Sequence, residues 1–197
     1  MRAQVAPHGE GSLLSWQRPD GPMWRRFSRA GGVLRPCAVA LALLAMHAAV
    51  ADPSYRLIGQ AAPDFALHAV SGVNVRVAEH RGEVVVVSFW SSRCTPCRAQ
   101  LASLNRSYAT YQSAGLVVFG VGVDDEPKKA LEFAHSVNVG FPMLLDPEKG
   151  AARSYEVDDL PMTVLIDRAG TVRYVLREQS QANETLYLQE LRALLNE

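Results

Sequence analysis

Apolar residues along this chain fall into blocks whose spacing changes with position, and the spacing predicts the elements. Val84-Val85-Val86-Val87 is a β-branched run without alternation. Such a run reads as a strand buried on both faces, here over 83–90. A second run predicts another buried strand over 116–123. Between them Leu101, Leu104, Tyr108 and Tyr111 recur at three and four, the spacing of a helix over 95–113. Gly115 stands where its stop is expected. Pro127 opens a helix to about 136, and Leu186, Leu188, Leu191, Leu194 and Leu195 mark another over 185–195. Two short extended pieces, 65–69 and 73–77, flank Ser71-Gly72 as a hairpin. A second pair, 162–166 and 171–176, flanks Arg168-Ala169-Gly170. Residues 141–145 read as extended and 148–155 as a short helix. Strand–helix–strand alternation followed by a late hairpin predicts an α/β fold with a central mixed sheet flanked by helices, after an N-terminal hairpin.

The first fifty residues follow a different pattern. Residues 1–22 have no hydrophobic period and are punctuated by Pro7, Pro19, Pro22 and several glycines. A basic stretch, Met23-Trp24-Arg25-Arg26-Phe27-Ser28-Arg29, then precedes an apolar run over 37–50 interrupted only by His47. Ala49-Val50-Ala51 closes it as a small-x-small site. Basic start, apolar middle and A-x-A end are the three parts of a secretory signal peptide. The expectation is therefore a leader over 1–51, with translation starting at Met23, and a domain over 52–197. The rival is an uncleaved inner-membrane anchor over 33–51, although a span needs about 20 apolar residues and this run is shorter. Arg25-Arg26 and Cys37 are weaker hints of twin-arginine export and of lipidation.

Composition narrows the function classes. Hydrophobic residues are 48 % and charged residues 20 % of 197, a globular balance. The single long apolar run argues against a polytopic membrane protein. Net charge is zero, but residues 1–51 hold six arginines against Glu10 and Asp20, leaving a mildly acidic body. No basic stripe is present, so nucleic acid is not an expected partner. Three cysteines are too few for a disulfide-rich scaffold.

With the leader removed, Cys94 and Cys97 remain as a C-x-x-C pair between a buried strand and a helix. A helix N-terminus favours an anion, and the thiolate is the reactive form of cysteine. This makes Cys94 the expected nucleophile, with Arg93 adding to the effect. Cys97, one turn in, is expected to be shielded. One thiol that attacks and one that resolves the mixed disulfide is what exchange chemistry requires. Three other uses of the pair remain. A structural disulfide would close a tiny loop and constrain the chain little. Zinc needs four ligands, and His68, His80 and His135 lie outside the segment. A copper carrier is the stronger alternative, because two thiolates suit Cu(I).

Four motifs add to this. Ala62-Pro63-Asp64-Phe65, then Val87-Ser88-Phe89-Trp90 followed by Cys94-Thr95-Pro96-Cys97-Arg98, then Phe141-Pro142-Met143-Leu144-Leu145-Asp146, then Leu160-Pro161-Met162-Thr163-Val164-Leu165-Ile166-Asp167, occur in order. In this order the chain resembles the extracytoplasmic thioredoxin-like thiol–disulfide oxidoreductases, the TlpA/ResA-like group, over nearly all of 59–197. The resemblance implies a thioredoxin fold, with Cys94 and Cys97 as the catalytic pair and Arg93, Thr95 and Pro96 in the active-site loop. It also implies a cis Pro161 beside the cysteines, and Pro161, Leu160 and Trp90 on the substrate side. No cofactor beyond the Cys94–Cys97 disulfide and no metal is implied. A specific periplasmic or secreted reductant is, of the type serving cytochrome c maturation or copper-site assembly. Its partners would be protein thiols and disulfides, and its electrons would come from a membrane thiol-transfer protein. Peroxiredoxins share the Ala-Pro-Asp-Phe opening, but Val87 and Ser91 stand where their loop has Pro and Thr.

The chain also departs from the family pattern. Arg93 replaces an aromatic residue, and Ser88 stands where cytosolic thioredoxins carry a buried Asp. Gln100 replaces an acidic residue. The group that handles the Cys97 proton is therefore not evident; Asp124 is a candidate by strand-end position, and a solvated loop carboxylate is the plainer expectation for it.

Overall fold

The computed structural model describes residues 55–177 and 181–197. The leader expected over 1–51, the start at Met23 and the cleavage site after Ala51 lie outside the described residues.

The strands are β1 (Ala66–Ala69), β2 (Asn74–Arg76), β3 (Val84–Trp90), β4 (Leu116–Gly122), β5 (Met143–Leu145), β6 (Met162–Ile166) and β7 (Val172–Arg177). The helices are α1 (Cys97–Tyr111), α2 (Pro127–Val137), α3 (Gly150–Ser154) and α4 (Gln181–Leu195). One mixed sheet runs β2-β1-β5-β4-β3-β6-β7. β3–β4 and β4–β5 pair in parallel, and the other pairs are antiparallel. The valine run is the centre of the sheet, and all seven residues of β3 are buried.

Alternation along β3 divides the core. Val85, Val87 and Phe89 face a layer with Tyr55, Phe65 and, from just after α3, Tyr155. Val84, Val86 and Trp90 face a layer with Cys97, Leu101 and Leu104 of α1 and Leu191 and Leu194 of α4. Ser88 lies between Val86 and Trp90 in this alternation, so it belongs to the α1 face.

The differences from the expected elements have local causes. The helix expected from residue 95 begins at Cys97, with Pro96 as its N-cap. A residue before proline resists the helical conformation, which keeps Thr95 outside. The second hairpin strand stops at Arg76 and turns into a short 3-10 helix, Val77–His80. There Asp64 accepts from the Ala78 N–H at 3.0 Å and from Arg76 Nε at 2.7 Å. α4 starts four residues before 185, in a polar turn that carries no apolar period. Gly115 stops the first helical segment as expected, in the left-handed conformation at φ 91°.

Candidate active site

The chain leaves β3 at Trp90 and crosses to α1 through 91–96. The loop is tied to the neighbouring strand end. Asp124, just beyond β4, accepts the Ser92 N–H at 3.1 and 2.8 Å through its two oxygens, and the Ser92 hydroxyl at 2.6 Å. Asp124 is only 8 % exposed. It is thus not the solvated carboxylate expected from its position but the clamp of the loop. Two turns follow: the Cys94 N–H donates to Ser91 O, and the Cys97 N–H donates to Cys94 O.

Cys94 and Cys97 are joined by a disulfide with Cα atoms 5.4 Å apart. Cys94 is half-buried and Cys97 has no exposed surface. The placement differs from expectation in one respect. Cys97 opens α1 rather than lying one turn in, and Cys94 stands three residues before the helix. The asymmetry in access between the two sulfurs is nonetheless present, because Cys97 packs into the α1 layer with Trp90 and Leu101.

The other expected site residues separate into two groups. Cys94, Arg93 and Leu160 line one groove of about 440 Å³, with Val123, Ala152 and Val157 as apolar wall and Lys149, Asp158 and Asp159 at the rim. Leu160–Pro161 is a cis peptide bond; Leu160 lines the groove with Cys94, and Pro161 is buried immediately before β6. Thr95 and Pro96 are exposed on the loop. Trp90 does not join them. It is wholly buried, its ring stacked on Phe133 at 4.9 Å, so it supports the loop from beneath and does not reach the substrate side. Arg93 is also placed differently from expectation: its guanidinium pairs with Glu126 at 3.3 Å, so its charge is shared with a carboxylate. Glu126 also binds Lys129, and Lys149 binds Asp125. The Lys129 and Lys149 hydrogen bonds hold Glu126 and Asp125 below the usual carboxylate range.

A polar chain lies in the α1 layer that sequence reasoning did not assemble. Gln100 Nε2 donates to Thr163 Oγ1 at 2.9 Å, and Thr163 Oγ1 stands 3.1 Å from Ser88 Oγ. Ser88 and Gln100 were visible as departures from a family pattern. Thr163 carried no signal, because a β-branched residue is ordinary in a strand. Among the described residues, no cluster of three or more His, Cys, Asp or Glu is placed to hold a metal ion.

Comparison with known proteins agrees with the geometry. Residues 58–175 match the model of the AhpC/TSA family. The thiol-disulfide oxidoreductase ResA of Geobacillus kaustophilus is 34 % identical over 120 residues, covering 60 % of this chain and 68 % of the relative. That of Bacillus subtilis is 28 % identical over 148 residues, covering 75 % and 83 %. Among solved structures, one from Chlorobium tepidum described as a thiol:disulfide interchange protein DsbE has a TM-score of 0.67 at 33 % identity, covering 70 % of this chain and 97 % of that one. With its cysteine pair joined at the end of a buried strand and its likeness to these proteins in sequence and in fold, the chain belongs to the AhpC/TSA family as a thioredoxin-fold thiol–disulfide oxidoreductase.

Proposed function

We propose that the enzyme is a specific extracytoplasmic reductant, with Cys94 as attacking thiol and Cys97 as resolving thiol. The observation that carries the two roles is the unequal access of the sulfurs, one at the groove and one with no exposed surface. In the reduced enzyme the Cys94 thiolate attacks a substrate disulfide, and one substrate sulfur leaves as a thiolate that takes a proton. Cys97 then loses its proton and attacks the Cys94 sulfur. The second substrate thiol is released and the Cys94–Cys97 disulfide forms, so an electron pair has passed from enzyme to substrate. No group beyond the two thiols is required. The groove formed by Leu160, Val123 and Val157 offers an apolar wall to an extended substrate segment, and Pro161, next after Leu160, has no backbone N–H of its own.

Direction and location rest on the resemblance and on the leader pattern. The substrates are protein disulfides of the cytochrome c maturation or copper-site assembly type, and a membrane thiol-transfer protein restores the dithiol. The protein is periplasmic or secreted, or held at the inner membrane by 33–51 if the leader is retained; N-terminal sequencing of exported protein separates these. Trapping tests the roles. Cys97→Ser should accumulate mixed disulfides with partners, and Cys94→Ser should neither trap nor turn over. The reverse pattern would exchange the two roles. A copper carrier is the competing outcome: it would purify with bound Cu(I) and reduce a model disulfide poorly. Redox equilibration with dithiothreitol should give a potential nearer that of thioredoxin, about −270 mV, than that of a strong oxidant, about −120 mV.

A further inference from the structure

The proton of Cys97 has no evident acceptor, and the surroundings of that thiol explain what replaces one. Cys97 opens α1 on the sheet side with no exposed surface. Gln100 follows at i+3, on the same side of the helix. Ser88 and Thr163 are each 1 % exposed and are cross-strand partners on β3 and β6. Cys97, Ser88 and Thr163 therefore share the dry layer between α1 and the sheet, and the half-buried Gln100 reaches into it through Thr163, which stands two residues after Pro161.

The hydrogens of this chain can be counted. Gln100 donates one N–H to Thr163 Oγ1. The Ser88 and Thr163 hydroxyls carry two hydrogens between them, and their mutual contact uses one. Either orientation leaves one hydroxyl hydrogen without an acceptor among the described residues. A spare donor in a dry layer is costly when nothing accepts it, and stabilising when an anion does. A hydroxyl is too weak a base to take a thiol's proton, so the chain does not act as an acid–base pair.

We propose that Gln100, Thr163 and Ser88 form a neutral positioning network that holds a hydroxyl donor toward the face on which Cys97 ionises, stabilising the thiolate that resolves the mixed disulfide. This rests on the assignment of Cys97 as the resolving thiol. In the step, the Cys97 S–H proton passes to solvent and the thiolate gains the spare hydroxyl donor. The thiolate then attacks Cys94, the bond from Cys94 to the substrate sulfur breaks, and that sulfur leaves with the electron pair and takes a proton from water. Ionisable groups on the surrounding elements are committed elsewhere. Arg98 of α1 binds Ser136 and lies over the Phe133 ring. Asp124 beyond β4 binds Ser92, Glu184 of α4 binds Ser103 and Arg106, and burial pushes the Tyr187 phenol up, so it stays neutral.

The test is thiolate absorbance of full-length protein titrated in a Cys94→Ser background, which isolates Cys97. Adding Ser88→Ala with Thr163→Val should lower the acid dissociation constant of Cys97 about tenfold, the worth of one hydrogen bond to a charged group. Thr163→Ser, which restores the hydroxyl, should leave it unchanged. If the double variant does not fold, Ser88→Ala with Thr163→Ala, which also removes both hydroxyls, should shift it in the same direction by about tenfold. Folded variants with an unaltered titration overturn the proposal, as does a loss of melting temperature with no shift. The trapping experiment with Cys97→Ser stands apart from this readout, so failure of the thiol assignment and failure of the network are separately visible.

Discussion

At the scale of single residues, the active-site loop depends on one carboxylate. Asp124 receives three hydrogen-bond contacts from Ser92, and a hydrogen bond to a charged group is worth about 1.5–3 kcal/mol. Asp124→Ala is expected to cost about 2 kcal/mol in urea denaturation, because the Ser92 N–H loses its acceptor. It should also slow reduction of the Cys94–Cys97 disulfide by dithiothreitol, since the loop that presents Cys94 is released. Ser92→Ala, which keeps the backbone donor, should cost less. An Asp124→Ala protein with wild-type stability and rate would show that the clamp is dispensable. Asp124 was legible as a strand-end residue, but its partner was not, because Ser92 lies 32 residues away and nothing local links them.

At the scale of elements, β4 is shaped to receive Trp90. A Cβ at Gly122 would stand 2.6 and 2.8 Å from the indole Cζ2 and Cη2, and one at Gly120 would stand 2.6 Å from Met143 Sδ. The Gly120-x-Gly122 spacing places both on one face of the strand, where the indole lies between β4 and Phe133. Gly122→Ala is expected to destabilise the fold by about 1–3 kcal/mol, the usual range for overpacking. Urea denaturation measures this, and a change in tryptophan emission should accompany it. The buried strand itself was readable from its valines; the need for glycine opposite its last residue was not. α1 shows the converse, since Thr95-Pro96 is a local signal that sets its start at Cys97.

At the scale of the whole molecule, acid and alkaline limits follow from paired carboxylates and buried phenols. Burial pushes Asp64 up, but the Arg76 and Ala78 hydrogen bonds outweigh it and hold the carboxyl below its ordinary value. The Ser103 and Arg106 bonds do the same for Glu184. Groups with lowered native values contribute stability above their unfolded values, about 4, and lose it as pH falls through the native values. Desolvation raises Tyr55, Tyr155 and Tyr187. Their contribution is present below about pH 10 and is lost as pH rises through the native values. Stability should therefore be flat between about pH 5 and 9 and fall on both sides. Asp64→Asn should reduce the acid slope, and an unchanged slope would remove Asp64 from this account. The same tyrosines join distant parts of the chain. Tyr55 donates to Tyr155 O, and Tyr155 OH donates to Pro63 O at 2.8 Å, while Arg56 pairs with Glu156. The segment before β1 is thereby fastened to the stretch that leads to Leu160–Pro161.

The central strands, the main helices, the hairpins and the C-x-x-C pair are legible along the chain without its fold. Each of these is encoded within a few residues, by a β-branched run, a 3.6-residue period, a turn dipeptide or a C-x-x-C spacing. Which residues meet depends on the packed sheet and helices. Sheet order brought Thr163 to Ser88, 75 residues apart, and to Gln100, 63 apart. It turned Trp90 inward over two glycines and set Arg93 against Glu126 rather than leaving it free. Local patterns specify the face and the ends of an element, whereas partners across the sheet are chosen by topology and packing, which no window of neighbouring residues contains.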